Sequence, residues 1–509
     1  GVAYSKFGKG VEFFPEVEPD MVLINLHARG ELSVDDKDSL LRKVEANVKD
    51  IEGYKSIYAR SFNQNTSDDI VAVIQFQLDD WDTRLTANEI LKQMSEATES
   101  IPGIVVETRK AESGPSSGKP FKLNVSGIEG EKIFAAVDDI RQAMIEVGGF
   151  VGTEDDRPLP GIEWRIIVDR EEAARYGANV AAVGEAVKLI TNGILLTDYR
   201  PDTADDEVDI KLRFPRDKRN LDQLMQMQLF TSSGLVPLSN FVTLIPKPKT
   251  GSIKRTDTRR VISIQSEVAE GVLVNDKVIE MQALLADKQF DSQIRVEFKG
   301  EDEQQKETGA FLSKAFSIAI FMMLLILVTQ FNNIYQALLV LSAIIFSTAG
   351  VLLGLMITGQ PFGIVMGGVG IIALAGIVVN NNIVLIDSFN DLRRAGFSPF
   401  DAALRTGSIR MRPVLLTAIT TVLGLMPMVL AMNIDLINRS VSFGAPSTQW
   451  WTQLSSTIAG GLSFATVLTL FLTPCLLVIG ERRWFARWRK KKPAVEVESA
   501  KPMPLKEVA

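Results

Sequence analysis

The chain of 509 residues contains one cysteine, Cys475, and one histidine, His27. A single cysteine excludes a disulfide framework. A lone histidine with no cysteine partner excludes the common zinc-binding sets, so no metal site is expected. His27 alternates within a strand-like segment, which assigns it to surface or packing. The net charge of −7 gives no support for binding nucleic acid. Residues 1–310 contain no Ser-His-Asp set, no Cys-His pair and no phosphate loop; Gly148-Gly149 follow a helix and lack nucleotide-loop spacing. No catalytic constellation and no cofactor site is therefore expected. From Ala315 to Ile386 there is no Asp, Glu, Lys, Arg or His at all.

That charge-free run turns the reading toward a bilayer. Five segments come near the ~20 apolar residues a span requires: about 312–330, 335–358, 362–387, 413–431 and 456–480. The connection Phe331–Ile334 makes the first two a hairpin. Asn380, Asn381 and Asn382 lie inside the third span. A primary amide facing lipid costs several kcal/mol, so these residues must face protein or a water-filled path. Arginines 393, 394, 405, 410 and 412 follow the third span, and a basic tail, 481–509, follows the fifth. The positive-inside rule then places both on the cytoplasmic side and residues 1–310 outside. That arrangement needs one more span upstream of Gly1, and the chain reads as the C-terminal piece of a longer protein. Trp450, Trp451, Trp484 and Trp488 sit at span ends, as interfacial anchors do. Gly350, Gly354, Gly367, Gly368, Gly370 and Gly376 permit close helix packing.

The outer part reads as α+β. Met21 to Arg29 alternates as a strand, and Ser33-Val34-Asp35-Asp36 caps a helix to about Lys49. Strands near 55–60 and 70–78, a helix near 86–100 and a strand at 104–109 complete a βαββαβ unit over 21–112. The stretch Ser113–Pro120 reads as a linker. A second unit covers 121–160 and 249–300, interrupted by an insertion at 161–248 with helices around 170–176 and 181–190. Residues 1–20 read as the end of a preceding membrane helix and an entry segment.

Three stretches carry a resemblance: Phe13-Phe14-Pro15-Glu16, Gly376-Ile377-Val378-Val379-Asn380-Asn381, and Arg410-Met411-Arg412-Pro413-Val414-Leu415-Leu416-Thr417. With the order of units, they resemble the C-terminal half of the resistance–nodulation–division (RND) efflux transporters, hydrophobe/amphiphile branch. The resemblance implies two ferredoxin-like porter subdomains with an inserted docking subdomain, then five membrane helices. It implies a homotrimer in a bacterial inner membrane, with its large domain in the periplasm. Its partners would be its own N-terminal half, a periplasmic adaptor and an outer-membrane channel, and proton entry would drive export of hydrophobic or amphiphilic molecules. Arg410 and Thr417 match the family's relay positions, and Asn380 stands where the family carries a lysine. Arg410 and Thr417, seven residues apart, share one helix face. The relay set is thus Asn380, Asn381, Arg410 and Thr417.

Asn380 also reads as an inter-helix hydrogen bond, Arg410 as a positive-inside anchor, and Thr417 as a hydroxyl bonded to its own helix. An amide does not titrate, so the proton-carrying acids are expected in the other half. Tyr58, Phe62 and Gln75 match substrate-pocket positions, or pack in the core. A protein-export accessory of the wider superfamily and a receptor with an outer sensing domain are the alternatives. The tail 493–509 is short for a signalling module.

Overall fold

In the computed structural model, residues 2–489 are described apart from 30–31, 62–69, 112–117, 158, 203–205 and 436–438. Phe62 and its loop, most of the linker, and the tail beyond 489 therefore lie outside the described residues.

The first unit is a four-stranded antiparallel sheet in the order Tyr54–Arg60, Ile70–Leu78, Met21–Ala28, Ile104–Lys110. Two helices, Val34–Val48 and Ala87–Thr98, cover one face. Each begins with a capping box: Ser33 with Asp36, and Thr86 with Glu89. Strand alternation decides which face is covered. Val22, Ile24 and Leu26 point into the core with 0% exposure, while Asn25 and His27 point to the opposite face.

The second sheet repeats this connectivity. Phe150–Asp155 pairs with Arg259–Val268, which pairs with Phe121–Gly127, which pairs with Arg295–Gly300. Helices Gly130–Val147 and Val274–Ala286 form its core with Leu123, Val125 and Ile264. Between Asp155 and Arg255 the chain leaves through strand Ile162–Val168 and returns through Val242–Pro248, which pair along their whole length. That insertion has its own core around Val183, Leu238 and Phe241. It contains the helices Arg170–Arg175 and Val180–Ile190.

Gly300 joins the second sheet to the first apolar helix, Glu301–Phe331, with no intervening loop. The turn requires φ +68°, and a Cβ there would meet the Pro120 carbonyl oxygen at 2.6 Å. Only glycine satisfies both conditions.

Among the described residues, five helices are long and apolar enough to cross a membrane: Glu301–Phe331, Ile334–Thr358, Ile364–Arg394, Pro399–Val429 and Pro446–Arg489. The fourth differs from expectation. Ser398 caps it, Pro399 occupies its first turn, and it runs through Pro413. Arg405, Arg410 and Arg412 thus stand on a helix instead of in a loop. Hydropathy marks only the apolar middle of a span, and a proline inside a long membrane helix is tolerated.

The third helix is central: half of its most apolar window is buried, against 6% for the first helix and 11% for the fourth. The first and fourth therefore keep few side chains fully buried within this chain. The second and fifth helices meet backbone to backbone at Gly350, Gly354 and Gly460. Gly370 lies against Thr457 of the fifth helix, whereas a Cβ on Gly376 would meet nothing within 4 Å. Trp450 stacks edge-on against Phe14 of the entry segment at 4.8 Å, so it packs against protein.

Candidate functional site

The three asparagines separate by face. Asn382 is fully buried, and its Oδ1 accepts a 2.9 Å hydrogen bond from Thr473 Oγ1 on the fifth helix. Asn381 is 9% exposed. Asn380 is exposed, in line with exposed Ala373, Gly376 and Asp387. Positions 373, 376, 380 and 387 fall on one helical face, so a small, polar stripe points away from the other helices of this chain. The Thr473–Asn382 bond ties the third helix to the fifth. Thr473→Val leaves the amide oxygen without its donor and should lower bundle stability by about 1 kcal/mol. Thermal unfolding of the full protein in detergent measures this.

Arg410 does not reach the asparagines. Its Nε donates to Ser388 Oγ at 2.5 Å, and Ser388 lies about 12 Å further along the third helix than Asn380. Thr417 is exposed, and its hydroxyl donates to the Val414 carbonyl one turn back at 2.9 Å. Thr420 and Thr421 also bond within that helix. Among the described residues, Asn380, Asn381, Arg410 and Thr417 form no hydrogen bond with one another. The fourth helix thus carries a row of hydroxyls, each bonded back to its own helix.

In the outer part, Tyr58 on strand Tyr54–Arg60 sits directly across from Gln75 on strand Ile70–Leu78. Tyr58 is 60% exposed and Gln75 partly buried. Both project from the face of the first sheet opposite its helices, which sets aside the core-packing alternative for Tyr58.

A second polar centre lies where the two sheets meet. Lys119, with a side chain 2% exposed, places Nζ 2.5 Å from Glu107 Oε1 and 3.2 Å from Glu154 Oε1. It also donates to the Gly152 carbonyl. Glu107 accepts from Asn25 Nδ2 at 3.0 Å, and its Oε2 lies 3.3 Å from His27 Nε2. His27 Nε2 is 4.0 Å from Glu154. Burial alone would raise the Glu107 carboxyl. Hydrogen bonding from His27, the charge and hydrogen bond of Lys119, and hydrogen bonding from Asn25 outweigh it and hold the group at about 2. Asn25, His27 and Glu107 belong to the first sheet, whereas Gly152 and Glu154 belong to the second.

His27, Glu107 and Glu154 bring one ligand atom each within 4.8 Å of one another, a spacing that could hold a metal ion. His27 is therefore more than the surface or packing residue expected from the sequence. Lys119, however, already supplies the positive charge between the two carboxylates. Sequence reading missed this centre because its members come from three strands and the end of a linker. Each is an ordinary charged residue in its local context.

A bundle of apolar helices with an inward seam of amides, entered through two linked α/β units, defines a polytopic membrane protein of the transporter type. The sequence profile of the AcrB/AcrD/AcrF family matches residues 3–480, and the chain belongs to that family of RND transporters. It is 28% identical over 513 aligned residues to the cobalt-zinc-cadmium resistance protein CzcA of Cupriavidus metallidurans, covering 93% of this chain and 45% of that protein. It is 26% identical over 364 residues to the multidrug resistance protein MdtC of Proteus mirabilis, covering 70% of this chain and 34% of that one. A crystal structure of a heavy metal efflux pump superposes with a TM-score of 0.74 at 22% identity, over 95% of this chain and 50% of the other. The chain thus spans about half the length of the relatives it matches.

Proposed function

We propose that this chain is the C-terminal half of a proton-driven efflux permease that exports hydrophobic or amphiphilic small molecules. The observation that carries this reading is the exposed polar stripe through Asn380 on the third helix, aimed away from the chain's own core, together with the exposed Thr417 on the fourth. Such groups are costly against lipid, and membership of the family supplies an N-terminal half to cover them. That half contributes the acids that titrate, while Asn380, Asn381 and Thr417 orient them by hydrogen bonds. Arg410, tied to Ser388, contributes fixed positive charge further along the helices.

The two sheets share one strand order, which supports reading them as ferredoxin-like porter subdomains over 21–112 and over 121–160 with 249–300. The insertion at 161–248 is read as the docking subdomain, and the basic helix ends support a periplasmic α/β part above a bacterial inner membrane. A homotrimer working with a periplasmic adaptor and an outer-membrane channel completes the assembly. Tyr58 and Gln75 on the open sheet face suit contact with cargo. The His27, Glu107 and Glu154 group favours a second reading, export of a divalent cation, in keeping with the names of CzcA and of the crystallised pump. The ammonium of Lys119 between the carboxylates keeps the organic cargo first.

In the full-length protein, Asn380→Ala and Thr417→Ala should each slow export by roughly tenfold, the loss that one hydrogen bond of about 1.4 kcal/mol implies. Dye efflux from cells expressing each variant at equal levels measures this. Wild-type rates in both would remove the relay role. Cargo class is read in parallel: protection from zinc or cadmium salts with no dye efflux would favour the cation reading.

A further inference from the structure

The entry segment is stitched to the membrane bundle at a point that the relay does not use. Strand Val11–Glu12 pairs in parallel with Phe362–Gly363, just ahead of the third helix. Two glutamines one turn apart on the fifth helix reach back to this segment. Gln449 is fully used: its Oε1 accepts from the Glu18 amide at 2.9 Å, and its Nε2 donates to the Gly444 carbonyl at 2.9 Å. Gln453 is only half used. It is 4% exposed, and its Nε2 donates to Glu12 Oε1. Its Oε1 is buried with no hydrogen-bond partner among the described residues. A Cβ on Gly363 would stand 2.0 Å from that oxygen, so the glycine leaves room for the amide group.

A buried acceptor without a donor needs one, and a protonated carboxyl beside it can be that donor. Among the described residues, the groups charge-coupled to Glu12 bring no positive charge. Glu16 of the entry segment, Glu301 of the first helix and the Tyr4 hydroxyl are its charge-coupled neighbours. An amide can partner either protonation state of an acid. Its N–H donates to the carboxylate, and its oxygen accepts from the protonated carboxyl once the group turns over. The burial of Glu12, opposed in part by the Gln453 hydrogen bond and reinforced by Glu16, pushes its carboxyl up to about 7.

We propose that Glu12 and Gln453 form a proton-binding site at the junction of the entry strand and the fifth helix, separate from the third- and fourth-helix polar rows. It binds a proton whether or not the chain transports. When Glu12 is neutral, a charge is removed from the seam between the α/β part and the bundle.

Infrared difference spectroscopy of the full-length protein in detergent, titrated from pH 5 to 9, tests this. The expected result is a protonated-carboxyl band that disappears near neutral pH and is missing from Glu12→Gln, an isosteric variant that keeps a partner for Gln453. Gln453→Leu removes the donor to the carboxylate. It should strengthen proton binding by roughly tenfold and move the band's loss to higher pH. Identical spectra in wild type and Glu12→Gln would overturn the proposal, as would a Gln453→Leu titration unchanged from wild type. Loss of the band at fixed acidic pH on adding sodium chloride, but not choline chloride, would show a metal-cation site in place of a proton site.

Discussion

Replacing Lys119 with methionine should loosen the seam between the two α/β units by about 3 kcal/mol, the cost of leaving a buried charge without its partner. Methionine retains most of the side-chain volume, so the loss comes from charge and not from a cavity. Glu107 would keep His27 and Asn25 but lose the ammonium at 2.5 Å, and Glu154 would lose its link across the seam. Amide hydrogen exchange in the full protein should rise about a hundredfold along strands Ile104–Lys110 and Phe150–Asp155. The interior helices of each unit should change far less. The acid side carries a second signature. Against the burial that would raise it, hydrogen bonds from His27, Lys119 and Asn25 and the Lys119 charge hold the Glu107 carboxyl at about 2, well below the usual carboxylate range. A depressed carboxylate stabilises the fold fully above its unfolded value, and that stabilisation is lost as pH falls through the folded value. The wild-type seam should therefore weaken between about pH 4.5 and 2, by about 3 kcal/mol in all. In Lys119→Met that window should flatten, because much of the shift is gone. Exchange rates measured at pH 5 and pH 3 would show both effects, and a variant that tracks wild type at both would remove Lys119 from this role.

Gly460→Ala should strongly damage the membrane bundle. The added methyl would stand 2.7 Å from the Gly354 Cα and 3.1 Å from the Gly350 carbonyl oxygen. Both obstacles are backbone, so no side chain can rotate away, and the second and fifth helices must separate. Overpacking of this kind costs about 3 kcal/mol, and it also removes contacts along Val351, Leu355 and Leu462. Gly376→Ala is the control, since nothing lies within 4 Å of its Cβ position. Detergent-solubilised thermal unfolding should drop clearly for Gly460→Ala and stay at the wild-type value for Gly376→Ala. Equal stability of the two variants would mean that the glycine contact does not hold the bundle together.

Much of this architecture can be read along the chain because its signals are local. The charge-free stretch from Ala315 to Ile386 marks the bundle, Ser33 and Asp36 mark a helix start, and alternation in Met21–Ala28 marks a strand with one covered face. The helix ends were less legible. The fourth helix begins at Pro399, fourteen residues before the apolar stretch that announces it, because its first turns carry arginines that hydropathy counts against a span. The site was legible only in part. The sequence identified the asparagines as costly in lipid, but not that three consecutive positions face three directions. Rotation of 100° per residue puts Asn382 against Thr473 and leaves Asn380 outside. The seven-residue spacing of Arg410 and Thr417 reads as a shared face, yet Arg410 reaches Ser388, a partner that no spacing within one helix can reveal. The Lys119 centre was invisible for the same reason, since strands far apart in sequence meet only in the folded chain.

The glycine joint at residue 300 gives the two parts of the protein a common axis. A loop between the sheet and the bundle would let one move while the other stayed still. Here the last strand becomes the first apolar helix across one residue, and the next amide, that of Glu301, donates to the Pro120 carbonyl at 3.0 Å. Strand and helix therefore behave like the two arms of a bell crank. Any tilt of the second sheet is delivered to the helix whose apolar window is the least buried of these five.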